Sequence, residues 1–173
     1  MFSRPARFLL CALAGLALLT ACGEAKKEAS PAVKGLEEFF PIKIGDRTVR
    51  VQLAALPAET QQGLMFRKEL GADDGMLFVF TRPQQLGFYM RNTTIPLDIG
   101  YLDAKGVLRE VYPLHPLDER SVVSRARDLQ FALEVNQGWF KRNGVAPGAQ
   151  LDLKAVAAAL RARGLQPEAA GLK

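Results

Sequence analysis

Six consecutive residues, Gly75-Met76-Leu77-Phe78-Val79-Phe80, carry no polar side chain. A strand with one face in water alternates apolar and polar residues. A short run that is apolar on both faces belongs inside a sheet that is covered on both sides. Such a strand cannot stand alone, so the rest of the chain must supply neighbours for its edges and cover for its faces. Phe39–Ile44 and Thr48–Leu53 are β-rich around Gly45-Asp46-Arg47 and read as a hairpin, with Val49, Val51 and Leu53 alternating with Arg50 and Gln52. Leu56-Pro57 opens a helical stretch to about Leu70, with Leu64, Phe66 and Leu70 as its apolar content; Gly63 weakens it by roughly 1 kcal/mol. Leu86–Met90, Leu97–Leu102, Val107–Leu114 and Phe131–Val135 are further strands. Trp139–Arg142 is a turn, and Ala149–Leu153 is a last strand that closes the sheet. Lys154–Arg163 is Ala-rich and helical, Gly164 is its C-cap, and Leu165–Lys173 is a frayed tail. The expected class is α+β, mainly an antiparallel sheet, with rolling into a barrel as one way to finish it. A doubly wound βαβ pattern is absent, so no nucleotide crevice is implied.

The first residues follow a different logic. Arg4 and Arg7 precede an uncharged run, Phe8–Leu19. As a helix that run spans about 18 Å at ~1.5 Å per residue, short of the roughly 20 residues a bilayer core needs. A charged start, a short apolar core and small residues before a processing point are the marks of a secretory signal. Leu19-Thr20-Ala21-Cys22 resembles the lipobox of bacterial lipoproteins, in which the cysteine thiol is acylated and the chain is cut before it. Gly23 follows in place of Asp, which by analogy with Gram-negative sorting implies the outer membrane, facing the periplasm. Stable anchoring needs two or more acyl chains, which a mature lipoprotein cysteine carries. The expected organisation is a signal peptide over 1–21, a flexible linker over 22–36, a domain over 37–153, and a C-terminal helix and tail over 154–173.

Cleavage would leave a single small domain. Cys11 departs with the leader and Cys22 is acylated, so the domain would hold neither a free thiol nor a disulfide. Cysteine nucleophiles and cysteine-based zinc sites are thereby excluded. Losing Arg4 and Arg7 takes the formal charge from +5 to +3. The remaining charges are interspersed, which gives no support to nucleic acid as a partner.

Several short segments occur in order: Gly63-Leu64-Met65-Phe66-Arg67, Gly75–Phe80, Phe88-Tyr89-Met90-Arg91-Asn92-Thr93, Ile95-Pro96-Leu97-Asp98-Ile99 and Leu133-Glu134-Val135-Asn136-Gln137-Gly138. The series resembles the DUF192 family of small prokaryotic domains over roughly Phe40–Leu153. Tyr89 stands where that family usually has Trp, and Asn136-Gln137 varies the stretch before Gly138. The resemblance implies a compact, β-rich fold and brings no activity with it.

Asp98 lies between Leu97 and Ile99 at the start of a strand, where Asp is disfavoured and a buried carboxylate needs a partner. It reads as a ligand-binding carboxylate beside the gap left by Gly100, or as one half of a structural ion pair, or as a cap on the Asn92-Thr93-Thr94 turn. Arg67 is its candidate partner, or a fork for an anionic ligand. Met90, Asn92 and Thr93 precede Ile95-Pro96; Asn92 tolerates left-handed geometry, and the polar tips would line a pocket mouth. Glu134 sits in an apolar strand, and its pKa should rise if it faces inward. His115 is the only histidine, and histidine-based metal sites need more than one; no metal or cofactor is expected.

The preferred reading is a non-enzymatic, envelope-tethered accessory or ligand-binding module. It is held to the membrane through Cys22, and its cleft is lined by Arg67, Met90, Asn92, Thr93 and Asp98. Its ligand would be small and polar, or another envelope protein. The alternatives are a hydrolase or lyase that uses Asp98 and Glu134, and a structural interaction module with no pocket.

Overall fold

The computed structural model describes Met1 and residues 33–173. Residues 2–32, which hold the leader's apolar run, Cys22 and most of the expected linker, lie outside the described residues. No described helix is long and apolar enough to cross a membrane.

The chain opens with a hairpin, β1 (Phe40–Ile44) and β2 (Arg47–Ala54), turning at Gly45-Asp46 as expected. A short helix, α1 (Pro57–Gln62), and a loop then return the chain to β3 (Asp74–Gln84), which runs parallel to β2. There follow β4 (Gly87–Phe88), β5 (Leu97–Asp103), β6 (Leu108–Leu114), β7 (Val122–Val123) and β8 (Leu129–Asn136). A single helical turn, α2 (Trp139–Arg142), precedes α3 (Leu153–Ala162) and a 3-10 turn at Pro167–Ala170.

Six strands form one sheet in the order β1-β2-β3-β8-β5-β6, and β4 pairs with β7 in a small second sheet. Every neighbouring pair is antiparallel except β2 and β3. The apolar run of β3 occupies an inner position between β2 and β8, as a strand without a wet face requires. Both edge strands contain a proline, Pro41 in β1 and Pro113 in β6, where a missing N–H does not break the ladder.

The sheet is open and not closed into a barrel. The expected closing strand over Ala149–Leu153 is two isolated bridges, Ile44 with Leu151 and Val107 with Gln150. Leu153 already belongs to α3, because Asp152 caps that helix by accepting a hydrogen bond from the Ala155 N–H at 3.0 Å.

Both sheet faces are covered. On one, Val51, Leu53, Leu77, Leu102, Leu133 and Val135 pack with Val156 and Leu160 of α3 and with Trp139 and Phe140. On the other, Met76, Phe78, Leu97, Ile99, Tyr101 and Ala132 pack with Leu64, Leu86, Met90 and Ile95. At about 1.5–3 kcal/mol for each fully buried aliphatic or Phe side chain, these two layers hold the fold together.

Three local expectations are corrected. The helix ends at Gln62 and does not reach Leu70, because Gly63 has φ 50 and Phe66 φ 65, both in the left-handed region. Phe66 consequently turns outward and is 72% exposed. The strand expected over Leu86–Met90 shrinks to Gly87–Phe88, since β7 offers only two partners. The C-terminal tail is packed, not frayed: Pro167, Ala170 and Leu172 are buried, and the Gln130 side-chain amide donates to the Ala170 carbonyl at 2.7 Å. The N-terminal boundary also moves. Lys34 and Arg163 exchange backbone and side-chain hydrogen bonds, so the folded body begins inside the segment expected to be a linker.

Candidate functional site

The sheet pleat decides where the two strand carboxyls go. Asp98 is paired with Val135, and Ile99 with Glu134, across β5 and β8. Directly opposed residues share a face. Val135 belongs to the layer under α3 and Ile99 to the opposite layer, so Asp98 and Glu134 point to opposite sides of the sheet and form no acid–base pair.

Asp98 is 9% exposed, and its Oδ2 accepts a hydrogen bond from the Gly138 N–H at 2.7 Å. Burial pushes its carboxyl above the usual value, while that N–H and the Arg142 guanidinium pull it back. The gap beside Gly100 is filled: a Cβ there would lie 2.6 Å from Phe140 Cζ. Asp98 therefore fastens the start of α2 to β5.

Arg67 does not reach Asp98. It donates to Gln52 Oε1, and Gln52 in turn donates to the Leu36 carbonyl. Arg67 and Phe66 line a recess of about 370 Å³ with Leu36, Phe39 and Gln52. Met90 is buried in the apolar layer. Asn92 is left-handed at φ 54, the geometry its side chain tolerates best among non-glycines, and its carbonyl accepts from the Phe66 N–H at 2.8 Å. Thr93 is the one residue of the expected five that lines a second cleft, over Glu134.

That cleft, about 350 Å³, lies on the face away from α3. One wall is the end of α1 and the turn after it, Thr60–Met65; the other is Gln84–Tyr89. The second wall exists because β3 leaves its register with β8 after Val79 and regains it at Gln84, a bulge that swings the strand end away from the sheet. Ser124 pins this wall: its Oγ accepts from the Leu86 N–H at 3.1 Å and donates to the Ala126 carbonyl at 2.9 Å. Phe78 and Phe88 meet edge to face with centroids 4.8 Å apart, and both line the cleft with Phe80 and Tyr89.

Glu134 lines the same cleft and is 4% exposed. Its carboxyl has no hydrogen-bond partner among the described residues. Removal from water pushes it up to about 8, because a carboxylate loses its hydration on burial and gains nothing in return. Tyr101, its titratable neighbour on β5, donates its hydroxyl to the Val122 carbonyl at 2.6 Å and does not serve Glu134. The cleft thus offers a proton-holding carboxyl, four aromatic side chains and the amides of Gln61, Gln62, Gln84 and Gln85, with no Lys or Arg in its lining. Among the described residues no group of His, Cys, Asp or Glu could hold a metal ion. Alternation in β8 showed only that Glu134 could point inward. What the sequence did not reveal was that the opposite wall would leave it unpaired.

Comparison with known proteins agrees with this architecture. A Sinorhizobium meliloti 1021 protein, named as a candidate transcription regulator, is 30% identical with a TM-score of 0.64. The match covers 70% of this chain and 95% of that one. A protein of unknown function from Novosphingobium aromaticivorans DSM 12444 is 33% identical, also with a TM-score of 0.64, over 72% of this chain and 94% of its own. No curated protein matches. The family DUF192, described as an uncharacterised ACR, matches residues 40–153. With that match spanning the whole six-stranded sheet and the cleft, the chain belongs to the DUF192 family.

Proposed function

We propose that the protein is a lipid-anchored, non-enzymatic module of the cell envelope that binds a small polar ligand in the cleft above Glu134. The observation that carries the binding reading is the unpartnered Glu134 carboxyl at the base of a 350 Å³ recess. The Glu134 side chain is nearly buried, yet its carboxyl oxygens face the cleft and not the closed core, and a concave apolar site with a few convergent polar groups is the usual form of a ligand pocket. The absence of Lys and Arg from the lining is the wrong chemistry for the phosphates of nucleic acid. A hydrolase built on two carboxyls would need them to converge, and the second carboxyl considered, Asp98, is engaged with Gly138.

The anchoring reading rests on sequence. Arg4, Arg7, the apolar run Phe8–Leu19 and Leu19-Thr20-Ala21-Cys22 support acylation at Cys22, with the segment after it as the spacer before the folded body. The outer membrane, facing the periplasm, is the proposed destination. Metabolic labelling with an alkyne-bearing fatty acid tests this. The wild-type chain should incorporate label and sediment with membranes, whereas Cys22→Ser should remain unlabelled. An unlabelled, fully soluble wild-type chain overturns the anchor and leaves the cleft reading standing.

A further inference from the structure

We propose that the cleft over Glu134 takes a small organic cation, its ammonium group seated against the Glu134 carboxyl and between the aromatic rings. This rests on the ligand-binding reading above and names the ligand class. The chain carries 23 Lys and Arg and a formal charge of +5, yet the only ionisable acid or base in the lining, Tyr89 apart, is one carboxyl. That lining repels nothing positive and offers an anion no donor of charge.

The rings supply the second requirement. Phe78, Phe80, Phe88 and Tyr89 line the recess, and aromatic faces attract cations most strongly where water is excluded. The Tyr89 ring is already met by the Arg91 guanidinium, 5.3 Å from its centroid and itself paired with Glu119 at 3.2 Å, which leaves the three Phe rings for a ligand. Gln85 donates its amide N–H to the Ser124 carbonyl at 2.7 Å, which leaves its amide oxygen as a partial negative charge that favours a cation, with or without an N–H. An inorganic cation fits poorly: one carboxyl and four rings are not the six to eight oxygens that calcium takes.

Binding requires the carboxyl to ionise. At neutral pH the Glu134 O–H bond breaks, its proton passes to solvent, and the ligand keeps its own positive charge. The other groups near Glu134 do not compete for that proton. Met76 and Phe78 from β3, Ile99 from β5 and Leu64 from the turn after α1 are apolar, and the Tyr101 hydroxyl is engaged with Val122.

The test uses the full-length chain in mild detergent with three probes of one shape: choline, its neutral isostere 3,3-dimethyl-1-butanol, and 3,3-dimethylbutyrate. Isothermal titration should rank choline first, by about tenfold or more over the alcohol, with the anion silent. Choline affinity should rise up to about tenfold per pH unit below pH 8 and level off above it, as a released proton demands. Glu134→Gln should abolish that slope and bring the affinity for choline down to that for the alcohol. If the variant does not fold, the wild-type pH profile decides alone. Equal binding of alcohol and choline, or a flat profile, overturns the cation and spares the binding reading. Silence of all three probes overturns the cation; silence of glucose and glycine as well overturns the ligand-binding reading with it.

Discussion

On the face of the sheet covered by α3, the buried Asp98 carboxyl is met by the Gly138 N–H, and Phe140 fills the space beside it. On the opposite face the Glu134 carboxyl, attached to a neighbouring strand and one register position away, meets no donor among the described residues and opens on a recess. The same six strands support both. The difference lies in the covering layers. A helix packs closely over one side, while a turn and a bulged strand end stand apart on the other. A buried acid with its hydrogen bonds filled belongs to the scaffold; a buried acid without them marks where the scaffold stops and a site begins.

The largest expected effect tests whether the α3 side is the rigid one. Arg163 is 1% exposed and donates to the Leu53 and Lys34 carbonyls and to Glu59. Arg163→Ala should cost about 3–5 kcal/mol in urea unfolding, because Glu59 and the carbonyls lose their donor. A loss below about 1 kcal/mol would show that this face does not depend on its polar contacts.

Glu134 should behave in the opposite sense. Its carboxyl has an ordinary value near 4.5 and lies at about 8 in the folded chain. Below the lower value both folded and unfolded chains hold the proton. Between the two, only the folded chain does, so stability falls by up to about 1.4 kcal/mol per pH unit and levels off above the upper value. Glu134→Gln should remove this decline and gain on the order of 3 kcal/mol at about pH 9, with little change near pH 4. Thermal unfolding of both chains across that range checks it, and a destabilised Gln variant at high pH would erase the contrast between the faces.

Asp98→Ala should have the smallest effect, about 1–3 kcal/mol from leaving the Gly138 N–H without an acceptor, with choline titrations unchanged. A shift in those titrations would join two sites that the sheet separates.

The sequence revealed what repetition encodes. The buried run of β3, the hairpin at Gly45-Asp46 and the Ala-rich α3 follow from side-chain period and turn chemistry. It misled where one backbone angle outweighed the pattern. Leu64, Phe66 and Leu70 read as the apolar content of a longer helix, but left-handed Gly63 and Phe66 stop it. The tail looked too short to hold itself, yet Ala170 and Leu172 find the sheet. For the site, alternation set Asp98 apart from Leu97 and Ile99, but it could not give the register between β5 and β8 that sends Asp98 and Glu134 to opposite faces, nor which covering layer would satisfy each carboxyl.

The short stretch around Gln150 has a consequence for how copies of this chain meet. Gly45 donates to Gln150 and Asp152 to Lys43 along one margin of the sheet; Leu108 donates to Ala149 and Gly148 to Leu108 along the other. Together with Pro41 and Pro113, this leaves neither margin with an unbroken row of free amides to template a strand from a neighbouring molecule. A few residues of connecting loop thus guard both borders of the sheet at once.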